Sequence, residues 1–189
     1  MIRHVKALAR IYAYIEHRDP LARAGNVIAM FILSNQPFYP LYIYFLIGNR
    51  FWPALLTLLS SPLFALVPWL MRRSLPAGKW LLIVASLANT TIAIKAFGPQ
   101  SGLELFFFPC AVLGALLFGD SERYARWAAA LAPIALYLVL RGSYGSALES
   151  FSSGEYETLF TLHAVSAAAI CIVVCFAVTA ALARKQPSG

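Results

Sequence analysis

Thr158-Leu-Phe-Thr-Leu-His-Ala-Val-Ser-Ala-Ala-Ala-Ile-Cys-Ile-Val-Val-Cys-Phe-Ala-Val-Thr-Ala-Ala-Leu-Ala183 contains no lysine, arginine, aspartate or glutamate. A membrane-spanning helix needs about 20 mostly apolar residues. As a helix this run reaches about 39 Å at 1.5 Å per residue, enough to cross a bilayer with tilt. Working back toward the N-terminus, charges and Gly/Pro/Ser clusters bound further apolar stretches at Ala24–Gly48, Phe51–Met71, Trp80–Ala96, Leu103–Phe118 and Tyr124–Leu140. The fourth and fifth spans are short and cross only with snorkelling flanks or a thinned bilayer.

The composition agrees. Of 189 residues, 60% are hydrophobic and 12% charged, against about 45–50% and about 25% in a soluble domain. This excludes a water-soluble protein and a disordered one. The net charge of +7 does not mark a nucleic-acid binder, because the charges sit at the ends of apolar runs. The expected fold is all-α: a bundle of six transmembrane helices over residues 24–183. An amphipathic cytoplasmic segment, 1–23, precedes it, and a short cytoplasmic tail, 184–189, follows.

Orientation follows from the basic residues. Twelve of the fifteen lie before span one, between spans two and three, between four and five, or in the tail. Arg50, Lys95 and Arg141 fall on the other side. Both termini are therefore expected in the cytoplasm of a bacterium, with the chain multi-pass in the inner membrane. The first residues do not read as a cleavable signal, because Arg3, Lys6, Arg10, Glu16, Arg18, Asp19 and Arg23 leave no apolar core. Val5, Leu8, Tyr12 and Ile15 recur on one helical face, with Arg3, Lys6, Arg10 and His17 elsewhere. That pattern suits a basic helix on the membrane surface, or one that binds a partner.

Inside the spans, Pro37, Pro40, Pro62 and Pro68 remove backbone hydrogen bonds and bend the helices. Bent helices leave either a tightly shaped bundle or a pocket. Ala164, Ala168, Cys171 and Cys175, with Ala128, Ala132 and Ala135, form small-residue stripes for close helix packing. They bury spans five and six against each other or make a homodimer seam. The three cysteines, Cys110, Cys171 and Cys175, read as small apolar residues, with no disulfide framework.

Polar groups at membrane depth are costly and turn inward to pair. Asn35 and Gln36 in span one, Asn89 and Lys95 in span three, Glu104 and His163 are such groups. Lys95 and Glu104 flank one turn and are expected to approach each other. Either Lys95 and Glu104 snorkel to the interface and His163 is a hydrogen-bonded interhelical residue, or, with Phe97, Phe106 and Phe107 as an apolar wall, the set lines an outward-facing pocket for a small amphipathic, lipid-like ligand. A metal site is not expected, since His163 and Glu104 are too few ligands, and haem lacks a second facing histidine. Nucleotide, metalloprotease and nucleophile-elbow motifs are absent, and no aspartate lies within a span. No catalytic residue or cofactor is expected.

The stretch Asn89 to Tyr124 carries an asparagine in the third span, the turn Gly98-Pro99-Gln100-Ser101-Gly102, the aromatic run Phe106–Pro109 and the inner loop at Glu122-Arg123. It resembles the corresponding hairpin of the six-helix membrane domains in bacterial class III nucleotide cyclases and some sensor histidine kinases. The resemblance implies a membrane anchor with a receptor role, working as a dimer. Those domains continue from the sixth span into a signalling helix and output domain, whereas this chain reads Arg184-Lys185-Gln186-Pro187-Ser188-Gly189. That fits a free-standing relative, an accessory subunit or an excised piece. The expected function is a non-enzymatic membrane receptor or anchor. Its partners are membrane lipids, a second copy or a partner membrane protein, with no nucleic acid. The other reading is a structural accessory subunit of an energy-converting or light-harvesting complex. Small size and the lack of a repeat disfavour a solute carrier.

Overall fold

The computed structural model describes residues 2–183, with side chains from residue 9 onward. Among these residues there is no strand. The helices are α1 (Ile2–Ile15), α2 (Pro20–Asn35), α3 (Tyr39–Ile47), α4 (Ser61–Arg73), α5 (Leu75–Phe97), α6 (Phe107–Leu117), α7 (Arg123–Leu140) and α8 (Ser153–Ala183). A 3-10-wound stretch, Gly48–Ser60, joins α3 to α4, and short 3-10 turns occupy Pro99–Ser101, Leu103–Phe106 and Asp120–Glu122. The tail expected at 184–189 lies outside the described residues, as do the side chains of Val5 and Leu8.

Local chemistry sets the boundaries. Asp19 caps α2 by accepting from the Ala22 amide at 2.7 Å, with Pro20 in the first turn. α2 therefore starts four residues before the expected Ala24. It stops at Asn35 because Pro37 has no N–H to continue the ladder, and Pro40 then starts α3. Ser152 and Glu155 form a capping box on α8, the Ser152 amide donating to Glu155 at 2.7 Å. α5 ends at Gly98, whose φ of 86° is open to glycine.

The chain doubles back at Gly48, φ 71°. Gln36, before this turn, bonds to Thr57, Ser60 and Ser61, after it. The segment 48–60 thus runs antiparallel to α3. The turns at Gly48 and Gly98–Gly102 and the loop Gly142–Ser152 gather at one end, here called upper. Asp19, Ser74 and Gly119 lie at the lower end.

By length and composition alone three helical stretches among the described residues could cross a membrane, Tyr39–Arg73, Leu75–Phe97 and Ser153–Ala183, the first of them folded back on itself at Gly48. A fourth is reached if Leu103–Leu117 and Asp120–Leu140, bent by 115°, form one broken span. Breaks at 36–38 and at 118–120 leave α2 and α6 short, which is why fewer unbroken helices pass than the six apolar stretches in the sequence.

Two large apolar clusters, with a small third one at Ala24, Val178 and Ala181, hold the bundle. The lower one packs Ile28, Phe64, Met71, Leu82, Leu113 and Leu117. The upper one packs Ile43, Ala54, Ile94, Phe97, Phe107 and Phe151. Close helix contacts are made by glycine. A Cβ on Gly114 would lie 2.4 Å from the Ala129 backbone, and one on Gly78 2.6 Å from Met71. Within the single chain the small-residue stripe of α8 does not face the bundle: Ala168 and Cys175 are exposed, and Ala164 and Cys171 half-exposed. The inward face is instead Leu159, His163, Ala167, Val174, Val178 and Ala181. On α7, Ala128 and Ala135 also face outward, and Ala129 is the buried contact. In lipid both helix faces are apolar, so small residues alone do not say which face packs. The C-terminal end of α1 docks through Tyr14, whose hydroxyl donates to Ala65 O at 2.7 Å.

Candidate functional site

The break between α2 and α3 places Gln36, 5% exposed, in the bundle interior. Its amide is fully used. Nε2 donates to Thr57 O at 3.0 Å and to Ser60 Oγ at 2.5 Å, and Oε1 accepts from Ser61 Oγ at 2.6 Å. Ser60 Oγ lies 2.8 Å from both Thr57 O and Asn89 Oδ1. It has one proton, and Thr57 O already accepts from Gln36, so the proton serves Asn89. The Asn89 Nδ2 donors have no protein partner among the described residues.

This knot forms one wall of a cavity of about 320 Å³. Asn35, Gln36 and Tyr39 line it from the α2–α3 break, Ser86, Asn89, Thr90 and Ala93 from α5. Phe106, Pro109 and Cys110 come from the α6 side, and Leu162, Ser166, Ala169 and Ile170 from α8. Among the described residues no charged side chain is in the lining. Among the described residues no three His, Cys, Asp or Glu side chains group to hold a metal ion.

His163 stands above the cavity, fully buried. Its Nδ1 lies 2.6 Å from Ser101 O. A carbonyl accepts, so Nδ1 carries the hydrogen, and Nε2 accepts from the Tyr39 hydroxyl at 2.9 Å. Phe97 and Phe106 stand edge-on to the ring, each 6.1 Å away. Tyr39 lines the cavity, so His163 ties that wall to the Gly98–Gly102 turn.

The structure brings Asn35, Gln36, Asn89 and Phe106 to one cavity and sets His163 behind Tyr39. It does not bring Lys95, Glu104 or Phe107 there. Lys95 does not reach Glu104; its Nζ donates to Tyr144 O at 3.0 Å and Ser146 O at 2.7 Å, pinning the upper loop. Glu104 is half-exposed, with Arg141 the cation that acts on it. Phe107 packs on Tyr137 of α7, 6.3 Å between ring centres. The cavity is also closed at the expected outer mouth. Phe97 stacks on Phe151 at 5.6 Å, Trp52 donates to Glu149 at 2.8 Å, and Arg50 pairs with Glu155. Tyr39, Ser86, Thr90, Cys110 and Ser166 were not among the expected lining. Ser166 had a signal: it lies three residues after His163 on one helix face.

At the lower end Lys79 is 1% exposed and pairs with Glu122 at 2.5 Å over the Phe118 ring. It is a buried bridge from α5 to the α6–α7 turn, not a loop charge. No curated protein and no solved structure matches the chain. A family model does: residues 14–186 match MASE7, a family of membrane-associated sensor domains. That match spans α2 to α8 with the polar knot, the cavity and both closed ends, and the chain belongs to the MASE7 family.

Proposed function

We propose that the chain is the sensing part of a bacterial inner-membrane receptor, and that the cavity beneath His163 is its ligand site. The observation that carries this is an interior space with a hydrogen-bonded polar cluster, Gln36, Thr57 and Asn89, and a few further polar side chains such as Asn35 and Ser166 in a mostly apolar lining. Stability alone favours filling such a space with side chains, and a small number of placed polar groups among apolar ones is the pattern of a ligand pocket. The ligand is small and amphipathic. The domain does no chemistry itself and acts on an output of the cyclase or histidine-kinase kind, through a second copy or a partner membrane protein.

In this reading the chain crosses the membrane six times. α2 with α3 and the 48–60 stretch with α4 are broken spans; α5, α6 with its preceding turn, α7 and α8 supply the rest. The lower end, with both termini, is cytoplasmic, as the distribution of Lys and Arg supports.

The test is thermal unfolding of the protein in lipid nanodiscs with a panel of medium-chain amphiphiles: a ketone, an alcohol, a fatty acid and an amine. A ligand that binds the folded state raises the midpoint in a saturable way. Ala93→Leu fills the cavity and should remove that rise. Equal shifts in both proteins would mean a bilayer effect and would end the reading.

A further inference from the structure

We infer that the cavity takes an uncharged molecule with a hydrogen-bond acceptor, and that this molecule enters sideways from the bilayer, through a cleft between α2–α3 and α8. The inference rests on the cavity being the ligand site. Three observations carry it.

First, the chemistry of the wall selects for charge. Among the described residues no charged side chain lines the cavity. An ion brought here would lose its hydration without gaining a partner of opposite charge. Asn89 Nδ2 has no protein partner among the described residues, nor do the side chains of Asn35, Tyr42 and Ser166 in the same lining; each carries an N–H or O–H donor, which calls for an acceptor such as a carbonyl or ether oxygen. The mostly apolar remainder suits an alkyl or ring body.

Second, the upper end is shut. The loop Gly142–Ser152 is held down by Lys95 through two carbonyls. It is held again by the amides of Leu148 and Glu149, which donate to Lys95 O and Ala96 O at 3.2 and 3.3 Å. Phe151 and Tyr144 are inserted beneath it, 8% and 9% exposed. The lower end is filled by the apolar cluster around Leu82 and Leu117.

Third, the side is open. α2 and α8 meet below, at Ala24, Val178 and Ala181, and α3 meets α8 above, where Tyr39 touches His163. Between these contacts, Phe31, Asn35, Tyr42 and Ala169 line the cavity and are also exposed on the outer surface of the bundle. A residue that does both marks a mouth. It lies beside the break at residues 36–38, level with the middle of α5, so it faces lipid in the six-pass arrangement. The ligand therefore partitions into the membrane first, and the aqueous loops do not meet it.

The experiment measures entry directly. Nanodiscs holding the full chain are mixed with vesicles that carry a medium-chain alkyl ketone bearing a diazirine. Light is applied after increasing exposure times, and labelled peptides around Asn89, Cys110 and Ser166 are quantified. Ala169→Trp obstructs the mouth and should slow labelling about tenfold or more. Phe31→Ala widens it and should speed labelling. Lys95→Met loosens the upper loop and should leave the rate as in the parent protein. An alkylammonium diazirine of equal length should label these peptides far less than the ketone does. Faster labelling in Lys95→Met, with Ala169→Trp and Phe31→Ala unchanged, would overturn the lateral route in favour of the upper end. Equal rates in all three variants would overturn it as well. Equal labelling by the ammonium probe would overturn the neutrality claim. If the parent protein is labelled only on its lipid-facing surface at every exposure time, the ligand site itself falls, and this route with it.

Discussion

His163 satisfies two buried groups with one ring: the Ser101 carbonyl and the Tyr39 hydroxyl. Ser101 is buried and Tyr39 half-buried, so losing the ring leaves both groups short of a partner. His163→Phe should destabilise the protein by about 1–3 kcal/mol for each orphaned group, seen as a lower unfolding midpoint in nanodiscs. His163→Gln keeps a donor and an acceptor and should recover part of the loss. Lys79 makes the matching case at the other end. Lys79→Met strips Glu122 of its ion pair, but Glu122 is 25% exposed, so the loss falls below the full buried-pair cost of about 3–5 kcal/mol. The double variant Lys79→Met with Glu122→Gln should be more stable than Lys79→Met alone. Polarity at depth is legible because it must turn inward; Gln36 and Asn89 were readable that way, whereas Asn35, though it reaches the cavity, stays exposed beside the helix break. Lys95 and Glu104 were not, because their partners come from a distant loop and from Arg141. Sequence proximity across a turn says nothing about those partners.

At the scale of elements, the hairpins depend on glycine more than on alanine stripes. Gly114 lets α6 lie against the Ala129 backbone. Gly114→Leu forces α6 and α7 apart and should lose about 1–3 kcal/mol or more, read as a fall in the folded fraction on size-exclusion chromatography. Ala168→Leu on the outward face of α8 should change it little. The same contrast explains what the sequence made readable. Turns at Gly48, Gly98–Gly102 and Gly142 follow from residue type. The charge-free length of α8 and the proline break of α2 do as well. The 3-10 winding of 48–60 does not, since the Thr57 hydroxyl bonds back to Ala54 O there. Which face of α8 packs was equally hidden, since the bilayer removes the polar–apolar contrast that marks a buried face in water.

For the whole molecule, the arrangement of ends makes a topological prediction. A cysteine at Ser143, exposed on the upper loop, should react with an impermeant maleimide from outside the cell and not from the cytoplasmic side of inverted vesicles. Reaction from the cytoplasmic side alone would invert the chain. The central claim is narrower, that the bundle holds its ligand in the cavity beside Asn89, and a map of covalent labelling tests it most directly. After long exposure to the diazirine ketone, the account predicts insertion concentrated on cavity peptides carrying Asn89, Cys110 and Ser166. Ala93→Leu should abolish that labelling and leave background insertion at lipid-facing Phe176 and Val139 intact. Labelling spread evenly over the lipid-facing helices, and unchanged by Ala93→Leu, would contradict it.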